Sequence, residues 1–143
     1  MVPEGWSPRE LGEIANLKSG GTPNRQESRY WGGRRPWVSA KDLKKHFVGN
    51  SIDKLTDAGF GVASIAPKGA SLVLVRGMTL LKDFPVGLAT CDVAFNQDVK
   101  ALIPTKDVDP LFFSYLLAGN KNKIRQLVNT AGHGTGRPDI EQL

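Results

Sequence analysis

The chain has 143 residues, 40% apolar and 23% charged, which is enough for one domain with its own core and too apolar for a disordered chain. A single cysteine excludes an internal disulfide or a CxxC metal knuckle, and no run approaches the roughly 18 apolar residues of a membrane span. Nineteen Lys and Arg against 14 Asp and Glu give a net charge of +5.

In chain order, MVPEGWSPRELGE shows no basic segment followed by an apolar one, so a secretory leader is not expected, and the lone cysteine fits a reducing cytoplasm. Ser7-Pro8 offers an N-cap and a first-turn proline for a short helix through Leu11 and Ile14. SGGTPNR (residues 19–25) reads as a loop, RPWVSA as a short strand and KDLKKHF as a brief helical turn. Asp53 to Phe60 is expected to form another short helix, with Gly59 as its breaker. The middle is β-rich: ASLVLVRG, MTLLKDF, VGLATCD and VKALIP read as strands separated by Gly, Pro and Asp. After Asp109-Pro110 the apolar residues move to helical spacing, predicting helices over about 110–118 and 122–128, before the glycine-rich AGHGTGRPDIEQL. Short strands with segregated helices give an α+β fold (mixed α/β), a single globular domain over 1–143 with short twisted β-strands, peripheral short helices and loops on one side.

The stretch YWGGRRPWVSAKDL concentrates three large aromatics, two glycines and three cations, with Lys44 and Lys45 just beyond it. Arg25, Arg29, Arg34, Arg35, Lys41, Lys44 and Lys45 face only Glu27 and Asp42, so the whole excess positive charge lies in this one segment. A localised basic footprint suits a polyanion, because each neutralised phosphate releases condensed counterions. Chance clustering of exposed cations is the bland alternative.

Catalytic templates fit less well. Gly20-Gly21-Thr22-Pro23 lacks the GK[ST] of a phosphate-binding loop, AGHGTG has no GxSxG partner, and no N-P-P-Y or D-P-P-Y methyl-transfer motif is present. Cys91, His46 and His133 lie on unrelated segments and are too few for a zinc site. Asp83 with Asp98-Val99-Lys100 is the most serious lead, since two carboxylates and a lysine can build a Mg²⁺-dependent nuclease core. Asn96-Gln97-Asp98 before the alternating Val99, Ala101 and Leu102 looks more like a strand entry. No metal, cofactor or catalytic residue is expected.

Sequence-specific DNA binding needs cations to fix register on phosphates and polar side chains to read base edges. Asn24, Arg25, Arg34, Arg35, Ser39, Lys41, Lys44 and Lys45 supply both. Tyr30, Trp31 and Trp37 are expected to anchor the segment to the core, stacking on bases being their other use. Arg76 at a strand end, Lys82, Asn96, Gln97, and His133 and Arg137 in the last loop complete the candidate DNA contacts.

Taken in order, LGEIANLKSGGTP, YWGGRRPWVSAKDL, VRG, AFNQDVKALIP and GHGTGR resemble a target recognition domain of type I restriction–modification DNA specificity subunits, over nearly the whole chain. The resemblance implies a mixed α/β globule that binds double-stranded DNA at one half of a split target without catalysis. It also implies partners: the DNA methyltransferase (modification) subunit, through it the restriction subunit, and a second specificity half-subunit. Residues shared by relatives with different targets do not choose the target, so the base readers are expected in the less recognisable stretches, Lys44 to Lys68 and Lys82 to Asp92. Specificity subunits usually carry two such domains joined by long helices, whereas this chain has one and reaches DIEQL, the spacer helix absent or only begun at 138–143. The alternative is accordingly a truncated interaction or regulatory module that occupies a methyltransferase or specificity subunit, with little DNA affinity of its own.

Overall fold

The computed structural model describes residues 14–75 and 85–120. Its strands are β1 (Ala15–Ser19), β2 (Trp31–Val38), β3 (Phe47–Val48), β4 (Lys54–Leu55), β5 (Ile65–Ala66), β6 (Ser71–Leu74), β7 (Val86–Ala89), β8 (Val93–Phe95) and β9 (Val99–Pro104). Two α-helices, α1 (Asp57–Gly61) and α2 (Pro110–Gly119), and two 3-10 turns, Ser28–Tyr30 and Ala40–Asp42, complete the described elements.

Among the described residues the strands form two sheets, one ordered β1-β9-β6-β7-β3 and one ordered β4-β2-β8-β5. In the larger sheet β9 pairs antiparallel with β1 and β6, and β6 pairs antiparallel with β7. The apolar run SLVL becomes β6, and its four residues are all buried, as expected of a central strand covered by a helix. That helix is α2, which packs on β6 and β7. Asp109 caps it by accepting a hydrogen bond from the Phe112 N–H at 2.8 Å, and Pro110 occupies its first turn. Phe113 and Leu117, four residues apart, face the core.

The smaller sheet divides its side chains between two cores. β2 and β8 pair in parallel, Trp37 opposite Ala94 and Val38 opposite Phe95. Because successive strand residues point to opposite faces, Val38 and Phe95 enter the main core. Trp37 and Ala94 join Leu55 in a satellite cluster, with Trp31, Phe60, Ala63 and Ile65 packed against it. The two glycines of YWGG make this strand irregular. Leu55 is opposite both Trp31 and Arg35, so the β2–β4 register shifts between them. Gly32 has φ +89°, and a side chain on Gly33 would lie 2.4 Å from the Leu55 carbonyl oxygen. The extra residues are thereby accommodated as a local bulge beside β4.

Several sequence expectations shift. The strand expected at RPWVSA begins earlier, at Trp31, and KDLKKHF contributes a 3-10 turn and then β3. The helix expected over 53–60 is shorter because Lys54–Leu55 pairs with β2. It starts after Thr56, whose side chain accepts from Gly59 N–H. Gly59 is not its breaker. It lies inside α1, and a side chain there would meet the Tyr30 carbonyl oxygen at 2.3 Å. The helix from Asp109-Pro110 and the strands at SLVL, VGLA and VKALIP form as read. Most of the 7–14 helix, the MTLLKDF strand and the 122–128 helix lie outside the described residues.

The helix α2 also carries an aromatic face. Phe113 is core, but Phe112 and Tyr115 are 54% and 50% exposed, near Phe47 at 53%. His46 stacks on Tyr115, ring centroids 4.3 Å apart and planes 1° from parallel, and meets Phe47 edge-on. Its Nε2 lies 2.8 Å from Ser114 Oγ, whose own proton goes to the Leu111 carbonyl. Nε2–H is therefore the donor. Burial holds the His46 pKa below its ordinary 6.5. The unfolded chain then takes up the proton first, so the stability this site contributes is present above about pH 6.5 and is lost as pH falls toward the folded value. A thermal-melt series from pH 8 to pH 5 is expected to fall more steeply for the native chain than for His46→Gln; identical slopes would contradict the placement.

Candidate nucleic-acid interface

The basic segment is built on the satellite cluster. Trp31 and Trp37 meet edge to face, centroids 5.0 Å apart and planes at 86°. Both indole N–H groups are used: Trp31 donates to the Asn24 carbonyl at 3.0 Å and Trp37 to the Gly21 carbonyl at 3.1 Å. The Arg25 guanidinium covers both rings, 4.3 Å from the Trp31 centroid and 4.9 Å from that of Trp37. The rings are thus anchors and a platform for a cation, and Trp37 at 2% exposure has no face left for a nucleobase.

Arg25 and Trp31 border an open cleft of about 430 Å³ that is also lined by Gly32, Gly33, Ile52, Asp53 and Lys54. The far wall, residues 51–54, is fastened to the framework by hydrogen bonds. Ser51 Oγ accepts from Trp37 N–H at 2.9 Å and donates to the Asp53 carbonyl at 2.5 Å. Asp42 accepts from Ile52 N–H through Oδ1 and from Ser39 N–H through Oδ2, both at 2.9 Å. Lys54 Nζ donates to the Ser51 carbonyl at 3.0 Å, and Lys41 Nζ reaches Asp53 Oδ2 at 2.8 Å. The Lys41 hydrogen bond, with the charges of Lys41 and Arg25, holds the Asp53 carboxyl below its usual range and keeps it anionic. Arg25 and Lys54 thus line the cleft together with Asp53, whose carboxylate is paired with Lys41 and feels the charge of Arg25.

The other sequence candidates divide by place. Arg34, Lys44 and Lys45 are exposed and have no ion-pair partner among the described residues. Arg35 is turned to α1, 3.1 Å from Asp57 and 3.7 Å over the Phe60 ring. Ser39 is buried and closes the capping box with Asp42, which makes it a framework residue. Asn24 Oδ1 accepts from Gln26 N–H, bracing the turn. Asn96 Oδ1 accepts from Asp98 N–H and braces the turn after β8, while Gln97 Oε1 accepts from the Thr22 hydroxyl at 2.5 Å and ties the 20–22 loop to that turn. Arg76, Lys82, His133 and Arg137 lie outside the described residues, as does Asp83 of the nuclease reading. Lys100 of that reading donates to Ser19 Oγ at 2.5 Å. Among the described residues no group of three His, Cys, Asp or Glu could hold a metal ion, and no helix is long and apolar enough to cross a membrane.

Sequence reading missed Ser51, Ile52, Asp53 and Lys54. The available signal was an isolated isoleucine among polar residues in GNSIDK, within the stretch 44–68 expected to hold base readers. Nothing local in the sequence tied that stretch to Asp42 and Trp37.

Comparison with known proteins gives a consistent picture. A family model described as the type I restriction modification DNA specificity domain matches residues 3–143. The chain is 28% identical over 138 residues to the type I restriction enzyme EcoR124I/EcoR124II specificity subunit of Escherichia coli, covering 94% of this chain and 34% of that subunit. It is 27% identical over 123 residues to the MjaIX specificity subunit of Methanocaldococcus jannaschii, covering 80% and 27%. Its fold is similar to the HsdS subunit from Thermoanaerobacter tengcongensis, with TM-score 0.57 and 18% identity over 88% of this chain and 30% of that one. It is also similar to a chain from a structure concerning complex assembly of the type I R-M system, with TM-score 0.62 and 20% identity over 89% and 30%. The chain spans about a third of the length of the curated relatives it matches.

Proposed function

Since the chain belongs to the type I restriction modification DNA specificity domain family, we propose that it binds double-stranded DNA and reads a short sequence, one half of a split target. In this reading the domain spans 1–143, acts in the cytoplasm without catalysis, and directs the methyltransferase subunit, and through it the restriction subunit, to the target. A second half-subunit supplies the other half-site.

One observation carries the proposal: Arg25 and Lys54 line an open cleft, Lys41 is paired with its Asp53, and the walls are fixed by buried tryptophan and by Asp42. Cations held in place lose little freedom when they meet phosphate, and polar groups between them are presented to base edges. The aromatic faces are already covered by Arg25, which favours the edge of a duplex over stacking on a lone base.

The test is fluorescence anisotropy with one fluorescent strand, alone and annealed, at about 50 and 200 mM salt, where phosphate-dominated binding changes most. Preference for the duplex with steep salt weakening is expected. Tighter binding to the single strand contradicts the proposal. The interaction-module alternative draws on a separate observation, the exposed Phe47, Phe112 and Tyr115 on the side of the larger sheet. The family's description as a DNA specificity domain favours DNA binding over it.

A further inference from the structure

We propose that Ile52 is a base-reading side chain of this domain and that it recognises the 5-methyl group of thymine in the major groove. The inference rests on the DNA-reading function proposed above and names a chemistry for the cleft. Ile52 is 67% exposed, the most open of the large hydrophobic residues described, and it lines the cleft beside Arg25 and Lys54.

A single exposed aliphatic residue is ordinary by itself. The manner of its support is what assigns a task here. Its backbone N–H is bonded to Asp42 Oδ1, the residue before it is pinned between Trp37 N–H and the Asp53 carbonyl, and the residue after it is ion-paired to Lys41. The loop is fixed on both sides of a side chain that packs into neither core cluster. Such a rigid apolar projection is costly to order in a flexible loop and is already ordered in this one.

The surroundings decide the occupant. Arg25 and Lys54 line the cleft with a single carboxylate, Asp53, which is already paired with Lys41, so the cleft complements an anionic partner and disfavours an apolar peptide without acidic residues. In the DNA major groove the one apolar feature on the base edges is the thymine methyl group, and aliphatic side chains recognise it by contact. With the cations on the flanking phosphates, Ile52 is the group at the cleft suited to that contact, while Asp53 remains an acceptor for an exocyclic amine.

The test starts from the full chain and a duplex selected from a randomised pool. Each thymine in the selected motif is replaced in turn by deoxyuridine, which removes only the methyl group. The native chain is expected to lose about fourfold in affinity at one thymine, the worth of one buried methyl group. Ile52→Ala is expected to bind the thymine and deoxyuridine duplexes equally, at the weakened level, with an unchanged denaturation midpoint because the side chain is exposed. An enriched motif that contains only G·C pairs overturns the inference, as does a deoxyuridine series that is the same for the native chain and Ile52→Ala. Both leave the DNA-reading function standing. A pool without enrichment overturns that function and this inference with it.

Discussion

Trp37→Ala is expected to remove about 3–5 kcal/mol of stability, the cost of deleting a large buried aromatic without refilling its space. Trp37 is 2% exposed and sits in the satellite cluster with Leu55 and Ala94. Its ring braces Trp31 edge-on, and its indole N–H satisfies the Gly21 carbonyl, so the substitution leaves both a cavity and an unpaired acceptor. For a domain of this size the loss is a large fraction of the whole folding free energy. Urea titration reads it as a lower midpoint at nearly constant slope. Trp37→Phe keeps much of the packing but loses the hydrogen bond and part of the ring volume, so it is expected to fall between the native chain and Trp37→Ala. A loss below about 1 kcal/mol for Trp37→Ala would mean that the tryptophan does not anchor the basic segment.

Replacement of the cleft cations Arg25 and Lys54 together with Lys41, the partner of Asp53, by Arg25→Gln, Lys54→Gln and Lys41→Gln is expected to reduce the slope of log affinity against log salt by about 2 to 3 and to weaken duplex binding roughly a hundredfold near 0.15 M salt. Loss of Lys41 also leaves the Asp53 carboxylate without its partner, which adds repulsion toward phosphate. Loss of Arg25 from the tryptophan rings and of Lys54 from the Ser51 carbonyl is expected to lower stability by about 1–2 kcal/mol, read separately in a urea titration. Lys68→Gln with Lys106→Gln, two exposed lysines away from the cleft, supplies the control for nonspecific charge loss. An equal fall in both variants would assign the binding to net charge and not to the cleft.

The elements that were legible in the sequence are those with a local cause. Asp109-Pro110 marks the start of α2 because a carboxylate cap and a first-turn proline act within one turn. SLVL and VKALIP show their strands through continuous or alternating apolar residues. The strands β3, β4 and β5, two residues each, hold no period at all and exist through pairing with distant partners. The parallel pairing of β2 with β8 joins segments more than fifty residues apart, so no turn signal announces it.

The candidate site follows the same division. The concentration of charge between Arg25 and Lys45 could be counted, and the anchoring role of the tryptophans followed from ring and glycine chemistry. Which cations remain available could not be counted. Arg35 and Asp57 are 22 positions apart, and the ion pair forms only because α1 packs against β2. Ser39 looked like a polar reader and is instead tied to Asp42 in a capping box. Asp42 itself, an ordinary acid in KDL, proves to be the clamp that positions Ile52 across the cleft.

The most direct test of DNA reading by this domain is selection of duplexes from a randomised pool by the full chain at about 200 mM salt, where weak nonspecific binding is reduced, followed by sequencing of the retained fraction. Enrichment of one short motif, lost when Arg25 is replaced by Gln, is the expected result. Retention of duplexes without sequence preference, or enrichment that is indifferent to Arg25, would contradict the assignment of the cleft as the reading site.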